Sequence, residues 1–107
     1  MQAYEMPGHL IRRLNQMSTQ VFARHMQALG IDLTPVQFAA MDALNVYPGS
    51  DQAGLAGLIG YDKATIGGVV DRLVEKGWVN REVSPRDRRS KLLELTGEGA
   101  SVFARSL

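Results

Sequence analysis

At 107 residues the chain has the length of one domain, and with 45% hydrophobic and 21% charged residues it has the composition of an ordinary globular protein. That length excludes a second full domain, and the lack of cysteine excludes disulfides, thiolate metal sites and thiol redox sensing, in keeping with a reducing compartment. The net charge of +1 hides an asymmetry, because the stretch from Lys63 to Lys91 holds eight of the twelve Lys and Arg residues against four acids, giving +4 there and −3 elsewhere. Such a division hints at a side that faces a polyanion. No apolar run approaches the roughly 20 residues that cross a bilayer, and MQAYEMPGH has neither the basic start nor the apolar stretch of a signal peptide. The expectation is a soluble cytoplasmic protein with no membrane partner.

Pro7 suits the first turn of a helix, and apolar residues then recur at Leu10, Leu14, Met17, Val21 and Ala28, with Ile11, Phe22 and Leu29 beside them, up to Gly30. This periodicity predicts one long amphipathic helix over 9–29. Thr34, Pro35 and Gln37 form a capping box with proline at the first helical position, which opens a second helix over 35–46. Tyr47-Pro48-Gly49 breaks it. Ser50 is suited to cap a third helix with Leu55, Leu58 and Ile59 inward, which Gly60 stops, and Asp62 caps a fourth with Ile66, Val69, Val70, Leu73 and Val74 inward, ended by Gly77. A helix-turn-helix over 51–76 results. After Gly77 the period changes to 2: Val79, Arg81 and Val83 share one side, Lys91, Leu93 and Leu95 another, and Ser84-Pro85-Arg86-Asp87 turns between them. A hairpin with a basic tip is therefore expected over 78–95. From 97 to 107 the helical period returns, with Ala100, Phe103, Ala104 and Leu107 on one face.

Two helices at a tight glycine turn, followed directly by a basic hairpin, make a mainly α, α+β chain of winged helix-turn-helix type. Helix spacing turns Ala64, Gly68, Asp71, Arg72 and Glu75 away from the apolar side, with Thr65 and Gly67 flanking. The N-terminal half of such a helix can enter a major groove while the hairpin tip reaches the backbone or the adjacent minor groove.

The run from Leu55 to Gly99 resembles the multiple antibiotic resistance regulator (MarR) family of bacterial transcription factors. Its elements are D-K-x-T at Asp62, Lys63 and Thr65, V-D-R-L-x-x-K-G from Val70 to Gly77, D-R-R from Asp87 to Arg89, and L-x-L-T with G-E-G from Leu93 to Gly99. The likeness implies a homodimer on palindromic double-stranded DNA, usually a repressor, often released by a small effector such as a phenolic compound. Residues expected at the DNA are Ser50, Lys63, Ala64, Thr65, Gly67, Gly68 and Arg72, with Arg86, Arg88, Arg89 and Lys91 in the wing and Asp87 orienting it. The dimer is expected through the Leu10, Leu14, Met17 and Val21 face and the C-terminal helix.

Two departures stand out. Family members commonly carry polar or basic side chains where this chain has Gly67-Gly68, and each glycine costs a helix interior roughly 0.5–1 kcal/mol relative to alanine. The pair permits close approach to DNA or to another helix, or else marks a drift from base reading. In the family, the helix after Thr96 continues and a further helix follows to build the dimer. Here most of that is missing, so the chain is either a fragment or assembles differently, and the 107-residue chain alone is expected to be a weak oligomer that binds DNA poorly.

Arg72 has a competing local partner in Glu75, with Lys76 opposing it. Lys63 lies where a cation disfavours the helix dipole, so DNA contact explains it better than helix stability. Gly54, Gly57 and Gly60 lack the strand, the spacing and the Lys-Ser/Thr of a phosphate loop. His9 and His25 have no neighbouring ligands to suggest a metal site, and no nucleophile elbow or His-linked set suggests an enzyme, so no cofactor is expected. The alternative function is a winged-helix module that binds protein rather than DNA. The glycine pair favours it, and the basic wing opposes it.

Overall fold

In the computed structural model the residues described are 19–87 and 89–107, Thr19 for its backbone alone. The Leu10, Leu14 and Met17 part of the expected dimer face, the start of the first helix, His9 and Arg88 lie outside them.

Most helices begin where a side-chain oxygen accepts an orphan backbone N–H. After α1 (Thr19–Leu29), α2 (Pro35–Val46) opens on a complete capping box: Gln37 N–H donates to Thr34 Oγ1 at 3.2 Å and Thr34 N–H to Gln37 Oε1 at 3.1 Å. Helix α3 (Gln52–Ile59) starts at Asp51, whose Oδ1 accepts from Gly54 N–H at 2.7 Å. This corrects the expected cap, because Ser50 and Asp51 instead form a short strand β1 (Ser50–Asp51), which pulls Ser50 into a sheet and leaves Asp51 at the helix entrance. Gly60, at φ 76°, makes the sharp reversal that only a residue without Cβ takes easily, and Asp62 starts α4 (Lys63–Glu75).

The wing is larger than a hairpin. Strands β2 (Val79–Val83) and β3 (Lys91–Leu95) pair antiparallel with Val79 opposite Leu95 and Val83 opposite Lys91, and β1 joins the other edge of β3 with Ser50 opposite Leu93, in the order β1-β3-β2. Leu93 is thereby paired on both edges and fully buried, while Val83, out along the wing, is 55% exposed. The apolar alternation of β2 ends there because the hairpin has left the body.

Every residue of α2 from Gln37 to Leu44 is buried, so this helix is the hub. Phe38 lies between Phe22 of α1, at 6.0 Å between ring centroids, and Phe103, at 5.4 Å, of α5 (Gly97–Ser106). Both outer helices turn only part of their apolar residues onto the body, and the sides expected to meet a second copy stay outward. In α1, Phe22 and Met26 enter the core while Val21 is 45% exposed and Ala28 faces outward. In α5 the inward set is Gly99, Val102, Phe103 and Ser106, so of the four residues expected to share a face only Phe103 is buried. The reason is a backbone contact. Thr96 N–H donates to the Trp78 carbonyl at 3.0 Å, and Gly99 lies against that same carbonyl with no room for a Cβ. This contact sets the helix rotation.

Burial within the hub pushes the Asp42 carboxyl above its ordinary range. The charged form is therefore penalised above the raised value and spared below about 3.8, where the unfolded chain also binds the proton. Asp42→Asn is expected to raise stability at neutral pH, with the gain vanishing as pH falls into that acid range. Urea titrations of both proteins across pH 3–8 check it.

Candidate nucleic-acid interface

Helix α4 buries Ile66, Val70 and Leu73, which leaves Lys63, Ala64, Thr65, Gly68, Asp71 and Arg72 on its exposed side. Its first turn is held by Asp62, whose Oδ1 accepts the Thr65 N–H at 2.8 Å and whose Oδ2 accepts the Thr65 hydroxyl at 2.9 Å. Those bonds, the backbone one foremost, keep the Asp62 carboxyl below its ordinary range. Farther along, Asp71 Oδ1 accepts from Arg81 at 2.8 Å, which ties the helix to the root of the wing. Arg72 lies 3.7 Å from Glu75, both side chains about two-thirds exposed (70% and 67%), so this pair contributes little and yields readily to an outside anion.

The wing tip is organised by its uncharged and acidic residues rather than by its arginines. Buried Ser84 accepts at Oγ from the N–H groups of Arg86 (3.2 Å) and Asp87 (3.4 Å), while its own N–H donates to the Ser90 carbonyl at 2.9 Å. Asp87 then takes the Arg89 N–H at 3.0 Å and the Ser90 hydroxyl at 3.3 Å. What Asp87 holds among the described residues is thus the backbone of the tip rather than a guanidinium, leaving Arg86 and Arg89 exposed in solvent.

Where the wing folds back past the two helices, Asp51, Gln52, Lys63, Arg81, Arg89 and Lys91 line an open groove of about 260 Å³. Lys63, Arg89 and Lys91 of the expected site are brought together there, and Arg81 and Gln52, which the sequence reading did not single out, join them. Ser50 is set apart: its hydroxyl donates inward to the Tyr47 carbonyl at 2.8 Å. The signal for Arg81 was present, since a cation on the apolar side of β2 requires a partner, but its partner on α4 was not legible from spacing.

The glycine pair divides in two. A Cβ on Gly67 would stand 3.1 Å from the amide nitrogen of Gln52, whereas one on Gly68 would meet nothing within 4 Å. Gly68→Ala is therefore expected to stabilise the fold by roughly 0.5–1 kcal/mol through helix propensity alone. Thermal denaturation of the variant measures this.

Two helices at a glycine turn, the second flanked by a strand-built cationic wing, define a winged helix-turn-helix. The MarR family profile matches residues 33–91. The HTH-type transcriptional repressor NicR of Pseudomonas putida is 39% identical over 92% of this chain and 61% of its own length. Among solved structures, a mutant of MarR from E. coli complexed with operator DNA superposes with a TM-score of 0.78 at 29% identity, over 92% of this chain and 69% of that one. The PcaV transcriptional regulator from Streptomyces coelicolor, in complex with its natural ligand, gives a TM-score of 0.71 at 35% identity, covering 98% and 72%. The chain belongs to the MarR family. It spans about three fifths of the length of NicR. Among the described residues, no helix is long and apolar enough to cross a membrane.

Proposed function

We propose that this chain is a cytoplasmic, non-catalytic transcriptional repressor that binds palindromic duplex DNA as a homodimer and is released by a small effector. The observation that carries the reading is the groove in which Lys63 of α4 and Arg89 and Lys91 of the wing converge beside the exposed N-terminal half of α4. Cations in this arrangement engage backbone phosphates on both sides of a major groove that admits the helix. Arg86 extends the same field along the tip, and Arg72 exchanges Glu75 for a phosphate, while Arg88 is included from its place in the sequence alone. Support for the target comes from NicR, a transcriptional repressor, and from the MarR relative complexed with operator DNA. Support for the effector comes from the PcaV relative complexed with its natural ligand. The exposed Val21 side of α1 is offered as part of the dimer face.

Selection from random duplexes is expected to enrich one half-site motif, in two-fold related pairs roughly 34–36 Å apart, about one helical turn. Recovery of no motif, with binding that is weak and indifferent to sequence, would count against the proposal.

A further inference from the structure

We infer that Gln52, at the first position of α3, supplies a base-reading amide that the recognition helix α4 lacks, and that Gly67 is glycine because this amide lies across it. The inference rests on the DNA-binding reading above and names which residue carries its specificity.

The polar groups on the exposed side of α4 are largely committed within the protein. The Thr65 hydroxyl donates to Asp62 and the Asp71 carboxylate is held by Arg81, while Arg72, only loosely paired with Glu75, is the cation assigned above to a phosphate. Ala64 and Gly68 offer no polar atom. A helix presented to base edges in this form has little with which to tell one base pair from another. The Gln52 carboxamide fills the gap. Its nitrogen lies 3.1 Å and its carbon 3.9 Å from where a Cβ on Gly67 would stand, so the amide rests on the bare backbone of the middle of α4. Gln52 is half-buried, and among the described residues its carboxamide has no hydrogen-bond partner.

An amide held on a helix surface with both its donor and its acceptor free is matched to adenine, whose N6 donor and N7 acceptor in the major groove take a glutamine in a bidentate pair. Neighbouring Lys63, Arg89 and Lys91 engage phosphates and carry no sequence information of their own. Thus the wing and the start of α4 hold the duplex, and α3 contributes the reading group through a notch in α4.

The test is a panel of duplexes in which each base pair of the selected half-site is varied in turn, titrated with wild type, Gln52→Ala and Gly67→Leu at two salt concentrations. The expected result is that Gln52→Ala keeps wild-type affinity and salt slope on non-specific duplex but loses roughly tenfold discrimination at one A·T pair per half-site. Gly67→Leu, which improves helix propensity while displacing the amide, should lose discrimination at the same pair. A uniform loss across all sequences with a flatter salt slope would make Gln52 a phosphate contact and overturn the inference. An unchanged Gln52→Ala profile beside a selective wild type would also overturn it, while leaving the DNA-binding reading intact. A wild type with no preference at any position brings down that reading and the inference together.

Discussion

Gly99→Ala is expected to destabilise the fold by about 3 kcal/mol, at the upper end of what overpacking costs and well beyond an ordinary surface substitution. In the native backbone a Cβ at this position collides with the carbonyl group of Trp78. A side chain in the way could rotate aside, but this obstacle is main chain. The same carbonyl accepts the Thr96 N–H at 3.0 Å, and the Thr96 hydroxyl both donates to the Gly77 carbonyl at 2.7 Å and accepts the Gly99 N–H at 2.9 Å. Relieving the clash means lifting the first turn of α5 off the wing root, which loosens Val102 and Phe103 from the core and breaks the cap. The neighbouring Gly97 meets nothing within 4 Å and is the control, so Gly97→Ala should leave the melting temperature close to wild type. Equal melting temperatures for the two variants would mean that the contact is not what fixes α5.

Removing Arg89 and Lys91 together is expected to weaken binding to every duplex by roughly tenfold or more for each cation lost, since a hydrogen bond to a charged group is worth about 1.5–3 kcal/mol. The slope of log affinity against log salt should flatten by about 0.9 for each phosphate contact removed. Both side chains line the groove with Lys63, and neither has an ion-pair partner among the described residues, so their loss leaves no buried charge behind and the fold intact. The preferred sequence should remain the same, because phosphate contacts position without specifying. Titration of one selected duplex and one unrelated duplex at several salt concentrations measures affinity and slope together. Undiminished affinity of the double variant at low salt would place the DNA elsewhere and remove the wing from the interface.

The helix starts at Thr34 and Asp62 and the reversal at Gly60 are legible in the sequence because each is an interaction within one turn, where residue type and spacing suffice. The same holds for the change of period at Gly77 and for the basic tip, and these together define the winged architecture. What spacing alone could not decide is which of two adjacent faces a helix turns inward. In α1 the Phe22 and Met26 side packs on the body, where Phe22 meets the Phe38 ring, and Val21 and Ala28 stay outward, while the 99, 102, 103 and 106 face of α5 is selected by the Trp78 carbonyl. Ser50 and Asp51 are equally good caps by residue type, and both pair with β3, far along the chain, but the Ser50 hydroxyl turns to the Tyr47 carbonyl while the Asp51 carboxylate takes the Gly54 N–H.

The candidate site divides along the same line. Its cations were visible as an excess of Lys and Arg between Lys63 and Lys91, but Arg81 was readable only as an oddity on an apolar strand face, and Gln52 gave no signal. The glycine pair looked like one feature with one cause. In the fold Gly68 is open to solvent while Gly67 receives an amide from another helix, which also accounts for a glycine that had favoured a protein-binding module. Composition, caps and periodicity thus determined the class of fold and the side that carries positive charge, since these depend on residue type and on neighbours within a turn. Helix rotation, the third strand and the seat of Gln52 on α4 were decided by tertiary structure alone, because each is a contact between segments whose separation in the chain leaves no local trace.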